Sequence, residues 1–128
     1  MILVDTNILI AVLRTGDAKL IHQLKVESAA VCGVVRAELL CGARSLVETT
    51  AVHSLLASLV SIGIDDSLWT FIGENLFLLR SQGITAPFPD VILASLAIAC
   101  DIPFWTRDQH FTLMRQTLPK LKLFQEVP

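Results

Sequence analysis

Met1-Ile2-Leu3-Val4-Asp5-Thr6-Asn7-Ile8-Leu9-Ile10 opens the chain with four apolar residues that stop abruptly at an acid. A short, uninterrupted apolar run of this kind reads as a strand buried on both faces, the type found in parallel sheets. From Thr6 the spacing changes: Ile8, Leu9, Ala11, Val12 and Leu13 follow a helical pattern that Gly16 and Asp17 break. Pro103-Phe104-Trp105-Thr106-Arg107-Asp108 repeats the same order of strand, acid and helix near the other end. It is expected to be a buried strand at the centre of the sheet.

Working outward, the apolar run 29–32 supplies another strand, 60–64 alternates as a strand would, and 121–124 is a candidate for a final one. Helical spacing is read over 18–25, 34–44, 49–59, 68–82, 90–100 and 109–115. Asp65 and Asp66 act as capping acids, Gly83 as a C-terminal stop, and 85–89 forms a proline-bracketed loop. Strands alternating with helices imply an α/β fold, with a mainly parallel central sheet of four to five strands and helices on both faces. At 128 residues, one domain spanning the whole chain is expected. In such sheets ligands bind at the carboxyl ends of the strands.

Charged residues make up 17% of the chain, against about 25% in an ordinary soluble domain. Either apolar surface is covered by a partner, such as a second copy, or the core is unusually large. A net charge of −2 does not announce a nucleic-acid binder, although Arg107, Arg115, Lys120 and Lys122 make a small local cluster. Cys32, Cys41 and Cys100 form no CxxC pair and sit among apolar neighbours, so they are read as reduced, buried and structural. The N-terminus lacks a basic region before its apolar run, and no segment reaches the ~18 apolar residues of a membrane span. A cytoplasmic protein is expected.

The chemistry is carried by acids. Asp5 and Asp108 each follow a strand, and Asp90 follows Pro89 at the head of a helix with no charge through Cys100. Each alone could be an ordinary N-cap. Glu38 shares a helix face with Val34 and with Cys41 or Gly42, where an acid is costly unless paired. An internal salt bridge is the ordinary explanation. Jointly, three acids fall on one edge of the sheet and the fourth is expected to face inward. Carboxylates brought together repel one another until one is protonated or a cation neutralises them.

Oxygen donors of this kind suit Mg²⁺ or Mn²⁺. Such an ion activates water, and a pair of ions can clamp both oxygens of a phosphodiester. Zinc would recruit His or Cys, yet His22, His53 and His110 have no partners at ligand spacing; His110 alone lies near the acids. No GxSxG, GKS/T or GxGxxG motif is present.

Val4-Asp5-Thr6-Asn7-Ile8-Leu9-Ile10, Arg36-Ala37-Glu38-Leu39-Leu40-Cys41-Gly42-Ala43, Pro89-Asp90-Val91-Ile92-Leu93-Ala94 and Trp105-Thr106-Arg107-Asp108-Gln109-His110-Phe111 resemble, in order, the four acidic motifs of the PIN domain. Within it they look like the VapC-type toxin ribonucleases of toxin–antitoxin systems. The resemblance covers nearly the whole chain. It implies a three-layer α/β/α sandwich and a Mg²⁺- or Mn²⁺-dependent endoribonuclease. Asp5, Glu38, Asp90 and Asp108 would be its catalytic, metal-holding acids, with Thr6, Asn7 and Thr106 as polar supports. It also implies an RNA substrate, a cognate antitoxin that blocks the groove, often with a basic side chain near the acids, and a homodimer.

The departures are Gly33 where Ser or Thr commonly caps the second-motif helix, Cys41 where an aromatic is frequent, and Lys120 and Lys122 in place of an acidic C-terminal end. Arg107, Arg115, Lys120 and Lys122 are candidate phosphate contacts, which would make binding salt-sensitive; a solvated surface explains them as well. Trp105 reads as core, and Trp69 and Phe88 as exposed.

Three other readings compete: a PIN nuclease acting in RNA processing or on structured DNA outside toxin–antitoxin systems, a catalytically silent RNA- or protein-binding PIN module, and an aspartyl-nucleophile phosphatase. The last wants a second acid two residues after the first, where Asn7 stands.

Overall fold

Ile2–Val4 is fully buried and forms β1, the strand that organises the sheet. A computed structural model describes residues 1–127. After β1 come α1 (Thr6–Thr15), α2 (Ala18–Val26), β2 (Ala29–Cys32), α3 (Gly33–Cys41), α4 (Leu46–Ala57) and β3 (Val60–Ile62). The chain continues through α5 (Asp66–Ser81), α6 (Phe88–Cys100), β4 (Phe104–Trp105) and α7 (His110–Thr117). The strands lie in the order β3-β2-β1-β4, all parallel, in an α/β three-layer sandwich.

This order has a consequence for function. From β1 the chain steps outward to β2 and β3, then returns to the opposite side of β1 for β4. The carboxyl ends of β1 and β4 therefore flank the switch point where open α/β sheets leave a crevice. Leu3 pairs with Phe104 and Val4 with Trp105, so the residues after each strand, Asp5 and Thr106, emerge side by side.

The core explains why these elements stay put. β1, β2 and β4 are buried throughout, and Phe104, Trp105, Phe111 and Met114 fill the far end. Residues 91–97 of α6 are all buried in succession, which accounts for the missing charge in that stretch. Asn75 and Ser95 are buried with them and satisfy each other, Asn75 Nδ2 donating to Ser95 Oγ at 2.9 Å between α5 and α6.

Several expectations need correction. β4 is not central: it is an edge strand, as β3 is on the other side, and among the described residues an isolated bridge from Phe104 to Leu123 is the only pairing on its free side. The candidate final strand is reduced to that bridge. α4 begins at Leu46, three residues earlier than the apolar spacing indicates, because Ser45 caps it by accepting from the Glu48 amide at 3.1 Å. α6 begins at Phe88 with Pro89 in its first turn, where a missing N–H costs nothing, so Asp90 lies inside the helix rather than capping it. Cys32 is buried, but Cys41 and Cys100 are exposed at the ends of their helices. Trp105 is core, and Trp69 and Phe88 are exposed as expected. Among the described residues, no helix is long and apolar enough to cross a membrane.

Candidate active site

Asp5 stands at the mouth of the crevice, 8% exposed, and three donors converge on its carboxylate. Its Oδ1 accepts the Thr6 amide at 2.7 Å, which caps α1. Its Oδ2 accepts Thr106 Oγ1 at 2.7 Å and Asn7 Nδ2 at 3.2 Å. The ordinary explanation of Asp5 as a cap is thus correct for one oxygen and leaves the other to bridge toward β4. Burial raises its pKa, the Thr106 and Thr6 hydrogen bonds oppose that rise, and the charges of Glu38 and Asp108 add to it.

Thr106 fixes the direction of this network. Its hydroxyl gives its one proton to Asp5 and accepts from Asn7 Nδ2 at 3.2 Å and from the Asp108 amide at 3.0 Å. Asn7 Oδ1 in turn accepts the Arg107 amide at 3.2 Å. The turn after β4 is therefore stitched to the start of α1, and Asp108 is held in register with Asp5. Asp108 itself is exposed, and its Oδ1 accepts the His110 amide at 2.9 Å ahead of α7.

Asp90 is half-buried in the first turn of α6. Burial, followed by the charges of Asp5 and Asp108, pushes its pKa up to about 6; His110 pulls it down, and Glu38 adds a smaller rise. Four carboxylates thus share one electrostatic field. Glu38 corrects an expectation: it is exposed, not inward-facing, because the buried stripe of α3 is Val35 and Leu39. Its Oε1 accepts Thr6 Oγ1 at 3.1 Å, which ties it to the residue after Asp5. Among the described residues, no three His, Cys, Asp or Glu side chains stand close enough to form a ready-made metal cage.

The basic residues divide. Arg107 and Lys122 are already engaged, with Glu126 and Asp101 respectively, each at 2.7 Å. Arg115 and Lys120 are exposed and make no ion pair among the described residues. One neighbour of the site, Glu126, was not legible in the sequence, whereas His110 was expected near the acids. Glu126 reaches back over the crevice wall to Arg107 and to Trp105 Nε1, and only the need of a buried indole N–H for an acceptor hints at it. His110 lies close enough to influence Asp90, and its Nε2 is buried without a hydrogen-bond partner among the described residues.

Two cavities adjoin the acids. One of about 280 Å³ runs from Thr106 and Asp108 to Phe124 and Glu126. The other, about 470 Å³, lies between α1, α3 and α4, with Ile10, Leu13, Leu39 and Val52 among its walls and Glu38 and Glu48 on its rim.

Fold and site together define an α/β domain with acids gathered at the switch point of its sheet. The family model for the PIN domain matches residues 2–115, and the chain belongs to that family. Comparison with curated protein sequences gives no significant match. Among solved structures, the chain is similar to VapBC2 from Rickettsia felis bound to a promoter DNA fragment, at 22% identity and a TM-score of 0.84, covering 97% of this chain and 98% of that one. DNA-bound VapBC from Salmonella typhimurium is similar at 17% identity and a TM-score of 0.85, covering 96% of each chain. VapC20 from Mycobacterium tuberculosis, a sarcin–ricin loop cleaving toxin, is similar at 20% identity and a TM-score of 0.64, covering 88% of this chain and 94% of that one.

Proposed function

We propose that this chain is a Mg²⁺- or Mn²⁺-dependent endoribonuclease and the toxin of a toxin–antitoxin pair. The observation that carries this reading is the shared field of Asp5, Glu38, Asp90 and Asp108 at the sheet's switch point, which adds to burial in raising the Asp90 pKa to about 6. The donor set is made of carboxylate oxygens alone, which fits a hard divalent cation, and Asp5, Glu38, Asp90 and Asp108 would hold it. Once bound, the ion supplies an activated water and neutralises phosphate charge.

The chain's own residues prepare that chemistry. Asp5 is kept acceptor-only because Thr6, Asn7 and Thr106 all donate to it. Thr106 aligns Asp108 through its amide, and Thr6 positions Glu38. Asp90, fixed by a buried helix, cannot retreat from the other charges. An uncompensated acidic edge repels RNA, so substrate and cation are expected to bind together.

The apolar groove beside Glu38 supports the antitoxin part of the reading. Its floor suits an amphipathic segment, Glu38 on its rim suits a basic side chain while Glu48 is already paired with Arg44, and Leu46 and Val47 stand 86% and 80% exposed at the start of α4. The solved toxin–antitoxin complexes of similar fold point the same way. Exposed Trp69, Phe77 and Leu78 on α5 are a candidate surface for the expected homodimer.

The deciding experiment is cleavage of total RNA by the purified chain with Mg²⁺ or Mn²⁺, beside EDTA and Asp90→Asn controls. Discrete products that require both metal and Asp90 are expected. A folded, metal-supplied chain that cuts nothing overturns the reading.

A further inference from the structure

Arg107 is one residue from Asp108, and its backbone is pinned to the acidic network through Asn7. Its side chain is not free. Arg107 Nε donates to Glu126 Oε1 at 2.7 Å and a terminal nitrogen donates to Oε2 at 3.1 Å, the two-pronged geometry in which guanidinium groups also take phosphate. Glu126 is held in place by a third bond, from the indole Nε1 of buried Trp105 to Oε1 at 3.0 Å. These bonds depress the Glu126 pKa, with Arg107 as the first cause. The paired side chains remain partly open to solvent, 46% for Arg107 and 29% for Glu126, and they border the cavity of about 280 Å³ that begins at Asp108. The Arg107 guanidinium thus borders a cavity that Asp108 also lines, while an internal carboxylate fills its fork.

Resting on the ribonuclease reading above, we propose that Glu126 is a latch on a phosphate subsite: its carboxylate occupies the Arg107 fork that a phosphate of bound RNA takes over. The exchange is between two anions at one cation and involves no covalent step. An exposed ion pair is weak enough to be displaced, whereas a phosphate group offers the same paired oxygens with more charge. The latch sets a threshold for weakly bound polyanions.

Glu126→Gln isolates this role from tail anchoring, because the amide oxygen still accepts the Trp105 indole while the charge is lost. The probe is a short single-stranded oligoribonucleotide, titrated by fluorescence anisotropy against folded chains in an Asp90→Asn background with Mg²⁺. Glu126→Gln is expected to bind about fivefold more tightly. The slope of log affinity against log salt should be about 0.7 steeper in Glu126→Gln than in the chain that also carries Arg107→Gln, the difference of one phosphate contact. Adding Arg107→Gln to Glu126→Gln should abolish the gain.

A second readout needs no Glu126 variant. The Trp105 indole N–H resonance should shift as RNA displaces its acceptor, while that of Trp69 stays as the internal control. Unchanged or weaker affinity in folded Glu126→Gln, a gain that survives loss of Arg107, a Trp105 resonance indifferent to bound RNA, or no RNA binding by any of these chains overturns the latch. Metal-dependent cleavage by the chain with Asp90 intact is scored separately. Cleavage without a latch effect sinks only this inference, and a latch effect without cleavage sinks only the ribonuclease reading.

Discussion

Replacing Asp90 by Asn should stabilise the metal-free protein at neutral pH and do nothing for it in acid. In the unfolded chain an Asp titrates near 3.9; in the folded chain Asp90 is pushed up to about 6. Between these values the folded state binds the proton more tightly, so stability falls as the pH rises through the window from about 4 to 6 and stays low above it. A rise of that size corresponds to about 3 kcal/mol, and solvent screening of a half-buried carboxylate cuts that to about 1.5 kcal/mol. Asn also gives up the favourable place of a negative charge in the first turn of α6, worth about 0.5 kcal/mol. The net gain is about 1 kcal/mol, or roughly 3–5 °C in Tm for a domain of this size. Thermal unfolding followed by circular dichroism in EDTA, near pH 7.5 and near pH 4, measures it. Equal Tm values at neutral pH, or a gain that persists in acid, would refute the reasoning. Mg²⁺ should reverse the order, since a cation at about one hundred times its Kd adds about 2.7 kcal/mol to the chain that binds it.

Asp5→Asn should abolish cleavage, by about a hundredfold or more if electrostatic stabilisation is what it supplies, while the circular dichroism spectrum is retained; an active folded variant contradicts the site. Thr106→Val removes the proton given to Asp5 and the acceptor for the Asp108 amide. It should cost about 1–3 kcal/mol in urea unfolding and lower the cleavage rate more than it raises KM. Ser45→Ala should cost about 1 kcal/mol of stability by uncapping α4, with cleavage per folded molecule unchanged.

The parallel sheet was legible because β1 and β2 are buried on both faces, and burial leaves an unbroken apolar run in sequence. Asp5 and Asp108 could be placed because each follows such a run. Glu38 was misjudged for a physical reason: α3 is short, and a one-residue error in choosing its stripe, Val34 in place of Val35, turns the acid from outside to inside. The start of α4 was missed because apolar spacing was followed and the Ser45–Glu48 cap was not. The position of β4 in the sheet follows from which side of β1 the last crossover takes, and nothing local in 103–106 encodes that choice. Glu126 was invisible because its partners, 19 and 21 residues away, meet it only in three dimensions.

The acids cannot relax their repulsion by moving apart, since each is set by an element that the core fixes: Asp5 by β1, Asp90 by α6, Asp108 by the turn tied to Thr106. Protonation, an Asn substitution and a bound cation are therefore three ways of relieving one strain, and their effects should overlap rather than add. A direct consequence concerns the Asp90 carboxyl, read by carbon NMR across a pH titration. In Asp5→Asn its pKa should drop from about 6, because the charge of Asp5 is the second cause of the rise. It should still stay above the ordinary value, because burial is the first cause and is untouched. A return to the ordinary value would mean that burial was overstated. No change at all would mean that Asp5 and Asp90 do not share a field, and the case for a common cation site between β1 and α6 would fail with it.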